Sequence, residues 1–355
     1  MLFIRPVTEA DLPAVEQLAA TAGVGMTSIP QNTKLLASRI SQSVCSFAQQ
    51  QVTQPGQERY LFVLEDSSKG QVVGLSGIEA AVGLLEPFYS YRLGTVVHAS
   101  AKYKIHKQVP ALYLCNDYTG QTEIGSLILA KHYRQGYNGK LLSYSRFLFM
   151  AEFPQRFAEK VFAEMRGVCD DKGHSPFWHG LGRHFFQMEF PMADYLSGAD
   201  SKSFIAQLMP THPIYVPLLS EDAQRVIAQP HPQTRSALAL LKRQGFEFSN
   251  YIDIFDGGPT VDSPLQKIKM VRHSKPLQIV DCVSNLSVGA ELPALLANTQ
   301  LADFRCCVAD YQICGEEGIA ISAMVAQQLG VHKGDWVRGV PFAVTEQQAD
   351  SSKPG

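Results

Sequence analysis

The sequence predicts an α+β fold, with a mixed, largely antiparallel sheet and helices, followed by a small β-rich C-terminal domain. Three observations predict it. Short runs rich in Val, Leu and Tyr follow one another in the first half of the chain: "YLFVLED", "VVGLSGIEAAVG", "RLGTVVHAS", "ALYLCND" and "EIGSLILA". Gly, Asp or Ser bounds each of them, as strands require. The connections "SSKG" and "NDYTG" have hairpin chemistry, so the strands they join should be antiparallel. Finally, "EIGSLILA" leads through a turn with two glycines, "KHYRQGYNGK", into a long helical pattern.

The remaining elements follow in chain order. "LFIRPVTEADLPAVEQLAATAG" reads as a short strand and a helix, with Thr8 as cap and Asp11 three residues on. Leu12, Val15, Leu18 and Ala19 repeat at helical spacing. A second amphipathic helix covers "TKLLASRISQSVCSFAQQ". After the glycine turn, "GKLLSYSRFLFMAEFPQRFAE" is a long helix that Pro154 bends or ends. "KVFAEMRGV" is a strand, and Ser175 with Pro176 starts the helix of "HSPFWHGLGRHFF". "KSFIAQLMP" reads as a strand, and "TRSALALLKRQGFEFSNYIDIF" as a helix, a stop at Gly245 and a strand. The Gly and Pro of "DGGPTVDSP" break the pattern and set the boundary. Residues 1–260 form the main domain, 261–345 a small β-barrel-like domain, and 346–355 a polar tail expected to be disordered. Within the second domain, Ser322 caps a helix between two strands.

Composition excludes several classes of function. The 355 residues are 45% hydrophobic and 18% charged, with a formal net charge of -2, so no basic surface awaits nucleic acid. No apolar run reaches the roughly 18 residues that span a bilayer. The start "MLFIRPVTEADL" is interrupted by charge and does not read as a signal peptide. Seven cysteines without a C-x-x-C pair suit a reduced, cytoplasmic protein. Ten histidines show no metal-ligand spacing, so no metal is expected. Oligomeric state is open, a homo-oligomer included.

The chemistry centres on the glycine turn. A strand, a glycine turn and a helix N-terminus can present several backbone N–H groups to a diphosphate. The GNAT acyltransferases carry [Q/R]-x-x-G-x-[G/A] at this place, where it holds the pyrophosphate of coenzyme A. Arg134 and Gly139 match the ends of that pattern, Gly136 lies one place early, and Tyr137 replaces the middle glycine. If the loop is a phosphate cradle, Tyr137 should adopt negative φ and keep its ring out of the pyrophosphate site.

The whole chain also resembles the arginine N-succinyltransferase family. The stretches that carry the likeness are "GMTSIP", "GTVVHAS", "YNGKLLSYSRFLFM", "AEMRG", "SPFW", "HPIYVPLLS", "HPQT" and "NYIDIFDGGPT". The resemblance implies transfer of succinyl from succinyl-CoA, an acyl-donor substrate, to the α-amine of L-arginine, with no tightly bound cofactor. It assigns a proton-donor role to the position of His231 and an acyl-CoA contact to Leu127, through its backbone. Arg134, Gly136, Asn138 and Gly139 fall in the phosphate turn.

From the residues alone, His231 between Pro230 and Pro232 reads first as a turn histidine whose ring caps a backbone carbonyl, and it is the family resemblance that favours the proton-donor role. Glu164 is either a base or the partner of Arg166, and the "GMTSIP" loop, Asp117 and Tyr118 are further substrate-binding candidates. Direct attack of the amine on the thioester is the expected mechanism. An acyl-cysteine at Cys115 or Cys169 is its rival. Ornithine as acceptor and a non-catalytic acyl-CoA sensor are the alternative functions, the latter favoured by Tyr137.

Overall fold

The structure is a computed structural model that describes residues 1–21, 28–199, 208–284, 286 and 293–346. Its spine is one 16-stranded sheet. The first half contributes β1 (Leu2–Pro6), β2 (Arg59–Asp66), β3 (Gln71–Glu79), β4 (Ser90–Ser100), β5 (Ile105–Cys115) and β6 (Thr122–Leu129). The middle adds β7 (Lys160–Glu164), β8 (Ile214–Tyr215), β9 (Glu247–Ile252) and β10 (Pro259–Pro264). The C-terminal part adds β11 (Lys275–Val283), β12 (Ala294–Asn298), β13 (Cys306–Ala309), β14 (Gln312–Cys314), β15 (Gly318–Ser322) and β16 (Trp336–Pro341). The strand order is β14-β15-β11-β16-β12-β13-β1-β2-β3-β6-β7-β10-β9-β4-β5-β8. Only β6 with β7 and β11 with β15 pair in parallel among the described residues.

Period-2 alternation sorts the side chains of β2 to two faces. Leu61 and Val63 pack with α1 (Leu12–Ala20) and α2 (Thr33–Ala48) through Val15, Leu18, Leu36 and Ile40. Tyr60, Phe62 and Leu64 face α3 (Asn138–Glu152) and meet Phe147 and Phe149. The C-terminal strands cover the same helix, because Leu295, Phe304 and Cys306 join that cluster. As a result α3 buries every residue from Leu141 to Met150, polar ones included. It ends at Glu152, and Pro154 opens a 3-10 turn, as its missing N–H dictates. Among the described residues no helix is long and apolar enough to cross a membrane.

Several local expectations hold. Thr8 and Asp11 form a reciprocal capping box, Ser175 accepts from Trp178 N, and Ser322 accepts from Val325 N. Tertiary packing overrides others. "NDYTG" makes no hairpin: β5 pairs with β4 and β8, whereas β6 pairs with β3 and β7. Tyr118 in that stretch is instead buried against Phe162 and donates to Asp262 Oδ2 at 2.7 Å. Asp117 Oδ2 accepts from the Tyr251 hydroxyl at 2.8 Å. The helix after Pro176 is split into Pro176–Gly180 and Gly182–Phe186 at Leu181, whose φ of -136° and ψ of -72° leave the helical region. Gly182 lies against the Trp178 ring with no room for a Cβ.

"DGGPTVDSP" enters the sheet as β10, between β7 and β9. Its glycines permit a close approach: a Cβ on Gly258 would stand 2.0 Å from Met165 O. Most of "KSFIAQLMP" and the tail from 347 lie outside the described residues.

Candidate active site

β6 is where the sheet opens. On one side it pairs antiparallel with β3, Ile124 opposite Ile78 and Gly125 opposite Gly77. The register then shifts, and Ile128 faces Leu75. Ser126 occupies this bulge with a φ of 57°, a left-handed value that is strained for a residue with a side chain. On the other side β6 meets β7 only at Thr122–Val161 and Glu123–Phe162. Beyond those two pairs the strands separate and leave main-chain groups of β6 facing open space.

A cavity of about 160 Å³ fills the gap, bounded by Gly125, Ser126 and Leu127 of β6, by Glu164 and Arg166, and by Arg146 of α3. From it a second cavity, of about 560 Å³, runs past Leu127 to the glycine turn. Leu127, Arg166, Thr234 and Ala237 line both. The larger cavity is strongly cationic: Arg134, Lys140, Arg166 and Arg243 line it, and among the described residues no Asp or Glu does.

The turn itself is a 3-10 segment, Lys131–Tyr133, then Gly136 at a φ of 54°, which needs glycine. Tyr137 follows at a φ of -90° and a ψ of 0°, and α3 begins at Asn138. The Arg134 Nε donates to Leu129 O at 2.9 Å and so pins the turn to the end of β6. Asn138 Nδ2 donates to Tyr133 O at 2.9 Å, so this side chain shapes the turn and does not line the cavity. The Asn138 N–H donates to Gln135 O at 3.3 Å, and Gly139 and Lys140 of the first turn of α3 line the cavity, where the helix dipole adds positive potential. Tyr137 is absent from the lining; its ring stacks on Phe342, and Lys140 Nζ lies 5.0 Å from its centroid.

His231 stands behind the wall that faces the turn. Its N–H donates to Arg166 O at 2.8 Å, and Pro230 bridges to Gly167. Its Nδ1 accepts from Gln233 N at 3.2 Å and caps the 3-10 turn Pro232–Thr234. The residues that line the cavity from this segment are Gln233 and Thr234, not His231. Burial and then the Arg166 charge push the His231 pKa below its ordinary value, which favours the neutral ring.

On the far side of the gap a third cavity, of about 220 Å³, shares Ser28, Glu123, Gly125, Ser126 and Glu164 with the first. It adds Glu79 and Glu86 and two arginines, Arg39 and Arg59. Burial, then the charge of Arg59, lowers the Arg39 pKa to about 10. Of "GMTSIP", Ser28 lines the first and third cavities, while Thr27 lies outside the described residues. Neither Cys115 nor Cys169 lines any of the three cavities, and burial raises the Cys115 thiol pKa.

Structure therefore gathers Leu127, Arg134, Gly136 and Gly139 around one cavity, with Asn138 in the turn and His231 in the layer behind. The charges of Arg146 and Glu123 escape sequence reasoning, and Arg166 enters it only as a possible partner of Glu164. An arginine at the centre of "LLSYSRFLFM" is the one signal that something polar is being buried.

The family described as "Arginine N-succinyltransferase beta subunit" matches residues 2–270, and its C-terminal domain matches residues 280–341. The chain belongs to the arginine N-succinyltransferase family. It is an acyltransferase of that family, and its fold is the α+β one expected, with a largely antiparallel sheet. An arginine N-succinyltransferase of Yersinia pestis is 45% identical over 350 residues, covering 98% of this chain and 99% of that protein. The arginine N-succinyltransferase subunit beta of Pseudomonas aeruginosa is 44% identical, covering 98% of this chain and all of that one. A solved structure, arginine/ornithine succinyltransferase subunit AI from Pseudomonas aeruginosa, superposes with a TM-score of 0.88 at 41% identity, over 96% of this chain and 98% of its own.

Proposed function

We propose that this arginine N-succinyltransferase transfers the succinyl group of succinyl-CoA to the α-amine of L-arginine, giving N2-succinyl-L-arginine and CoA. The observation that carries the reading is the continuity of the three cavities. A purely cationic cavity at a helix N-terminus suits the CoA phosphates. It runs past the open edge of β6 into a cavity lined by carboxylates and arginines, which suits a cationic amino acid.

In this proposal the pyrophosphate lies against the turn from Gly136 to Lys140 and against Arg134, and the pantetheine arm follows the backbone of Leu127. The thioester then sits in the gap between β6 and β7. The α-ammonium loses a proton and its lone pair adds to the thioester carbonyl. The nitrogen gives up a second proton as the tetrahedral intermediate collapses, the C–S bond breaks, and the thiolate takes up one proton. His231 handles a proton in these steps: as a neutral ring it accepts one from the amine and returns one to the sulfur. In the neutral ring Nδ1 accepts from Gln233 N, so the ring's own proton sits on Nε2. A proton taken from the amine enters at Nδ1 in place of that contact, and the Nε2 proton is the one given to the sulfur. Direct transfer is favoured over an acyl-cysteine because no candidate cysteine lines the cavities.

Ornithine is the second acceptor to consider, since the solved relative is named arginine/ornithine succinyltransferase. The two acceptors share their α-amino and carboxylate ends. The sensor reading loses its support, because the Tyr137 ring stacks on Phe342. Thiol release from succinyl-CoA, measured with arginine, ornithine and lysine, tests the proposal. Release should be greatest with arginine and should vanish in His231→Ala while CoA binding persists. Full activity in that variant would remove His231 from the reaction, and release with no amino acid would reject the acceptor assignment.

A further inference from the structure

Arg146 lies at the centre of α3 and is only 2% exposed. Four hydrogen bonds hold its guanidinium, and every acceptor is uncharged. Nε donates to Ser143 O at 3.0 Å and Nη2 to Ser143 Oγ at 3.1 Å. Nη1 donates to Gly125 O at 3.2 Å and, weakly, to Gly77 O at 3.4 Å. A guanidinium has five N–H donors, so one Nη2 hydrogen stays outside these bonds. Burial alone lowers the pKa, to about 9, with no neighbouring charge acting on it, so the group is still a cation at neutral pH.

A buried cation without a counter-charge is costly, and proteins keep one only where something compensates. Arg156, the other large buried arginine of the first domain, is compensated: its Nη2 donates to Gln49 O and Gln50 O at the C-terminal end of α2, where the helix dipole is negative. Arg156 lines none of the three cavities, whereas Arg146 lines the small one in the gap between β6 and β7.

We infer that Arg146 receives the free carboxylate of the acyl group and so selects acyl-CoA donors that end in a carboxylate. The inference rests on the acyltransferase reading above and assigns the residue that sets its donor. An acyl chain passing Leu127 from the cationic cavity enters the space that Arg146 lines. Glu123, Glu164, Asp253 and Asp256 line the same space, but Asp253 and Asp256 accept from backbone N–H groups of Phe255, Asp256, Gly167 and Gly258. The charged donors that an arriving carboxylate meets there are Arg146 and Arg166. The acceptor's own carboxylate is the same chemistry from the opposite side, but Arg39 and Arg59 line that third cavity and Arg146 does not.

The test compares succinyl-CoA with butyryl-CoA, which lacks the carboxylate, each with arginine and with agmatine, which lacks the α-carboxylate. Wild type, Arg146→Met, Arg146→Lys and Arg156→Met are measured for kcat/KM, and for donor affinity by calorimetry. Arg146→Met should lose roughly 10- to 100-fold with succinyl-CoA, the size of a charge-assisted bond, and should lose it with either acceptor. Butyryl-CoA should change little, so the donor preference collapses. Arg146→Lys, which keeps the charge without the fork, should retain part of the preference. Arg156→Met should lower Tm and leave the donor ratio intact.

Equal losses on both donors, or a loss seen with arginine and absent with agmatine, would overturn the inference. Absence of thiol release by the wild type with arginine would reject the acceptor reading instead, and the ratio of donor affinities would still decide the role of Arg146.

Discussion

The Tyr137 ring stacks on Phe342, centroids 4.8 Å apart and planes 15° from parallel. Lys140 Nζ lies over both rings, at 5.0 and 5.6 Å. This stack clamps the glycine turn to the segment that follows β16, so the C-terminal strands support the proposed phosphate site from behind. Tyr137→Ala or Phe342→Ala should destabilise the protein by about 1 kcal/mol beyond the area lost, the usual worth of an aromatic pair. Urea unfolding of the two single variants and the double variant checks this. Non-additive losses are expected, because the rings share one contact.

Two glycines of the turn should behave oppositely. Gly136 has a φ of 54°, so Gly136→Ala should cost roughly 1 kcal/mol of stability through backbone strain. A Cβ on Gly139 meets nothing within 4 Å, so Gly139→Ala should leave stability within about 0.5 kcal/mol. It nevertheless faces the cationic cavity, and a methyl there should raise KM for the acyl-CoA with little change in kcat. Thermal melts and steady-state kinetics separate the two effects.

The His231 ring is held below its ordinary pKa first by burial and then by the Arg166 charge. If the neutral ring works, kcat should be level through neutral pH and fall as pH drops through the lowered value. Arg166→Met should move that acid limb to higher pH, and an NMR titration of the His231 ring should move with it. Stability follows the same sign. The unfolded chain, with a pKa of about 6.5, binds the proton first, so the contribution of this group is intact above about 6.5. It is lost as pH falls from there towards the folded value.

Ser126 keeps a φ of 57° at the bulge of β6, with its Oγ 3.4 Å from Ser28 O. Ser126→Gly should change stability by less than about 1 kcal/mol, since strain relief offsets the entropy of glycine. Ser126→Val should destabilise by more than about 1 kcal/mol, because a β-branched side chain is poorly tolerated at positive φ. Closure of the bulge in the valine variant should also slow turnover, by narrowing the gap that separates β6 from β7.

Much of this protein was determined by its sequence alone, and those features share a local cause. The caps at Ser175 and Ser322, the stop before Pro154, the alternating strands and the glycine turn at Arg134–Gly139 each depend on residues a few positions apart. The negative φ of Tyr137 belongs here too, since a side chain at that place selects it. The stretches from "GMTSIP" to "NYIDIFDGGPT" likewise carried the family.

Only the tertiary structure decided which strands meet and which charges are buried. "NDYTG" has hairpin residues, yet β6 pairs more favourably with β3, and "DGGPTVDSP" looks like a linker yet fills the slot between β7 and β9. Arg146 lies on a helix covered from both sides, a fact that no amphipathic period reports, because the second cover comes from β12 and β13 roughly 150 residues later. The choice of strand partner and the burial of a face are set by contacts distant in sequence. The site between β6 and β7 is made by those contacts.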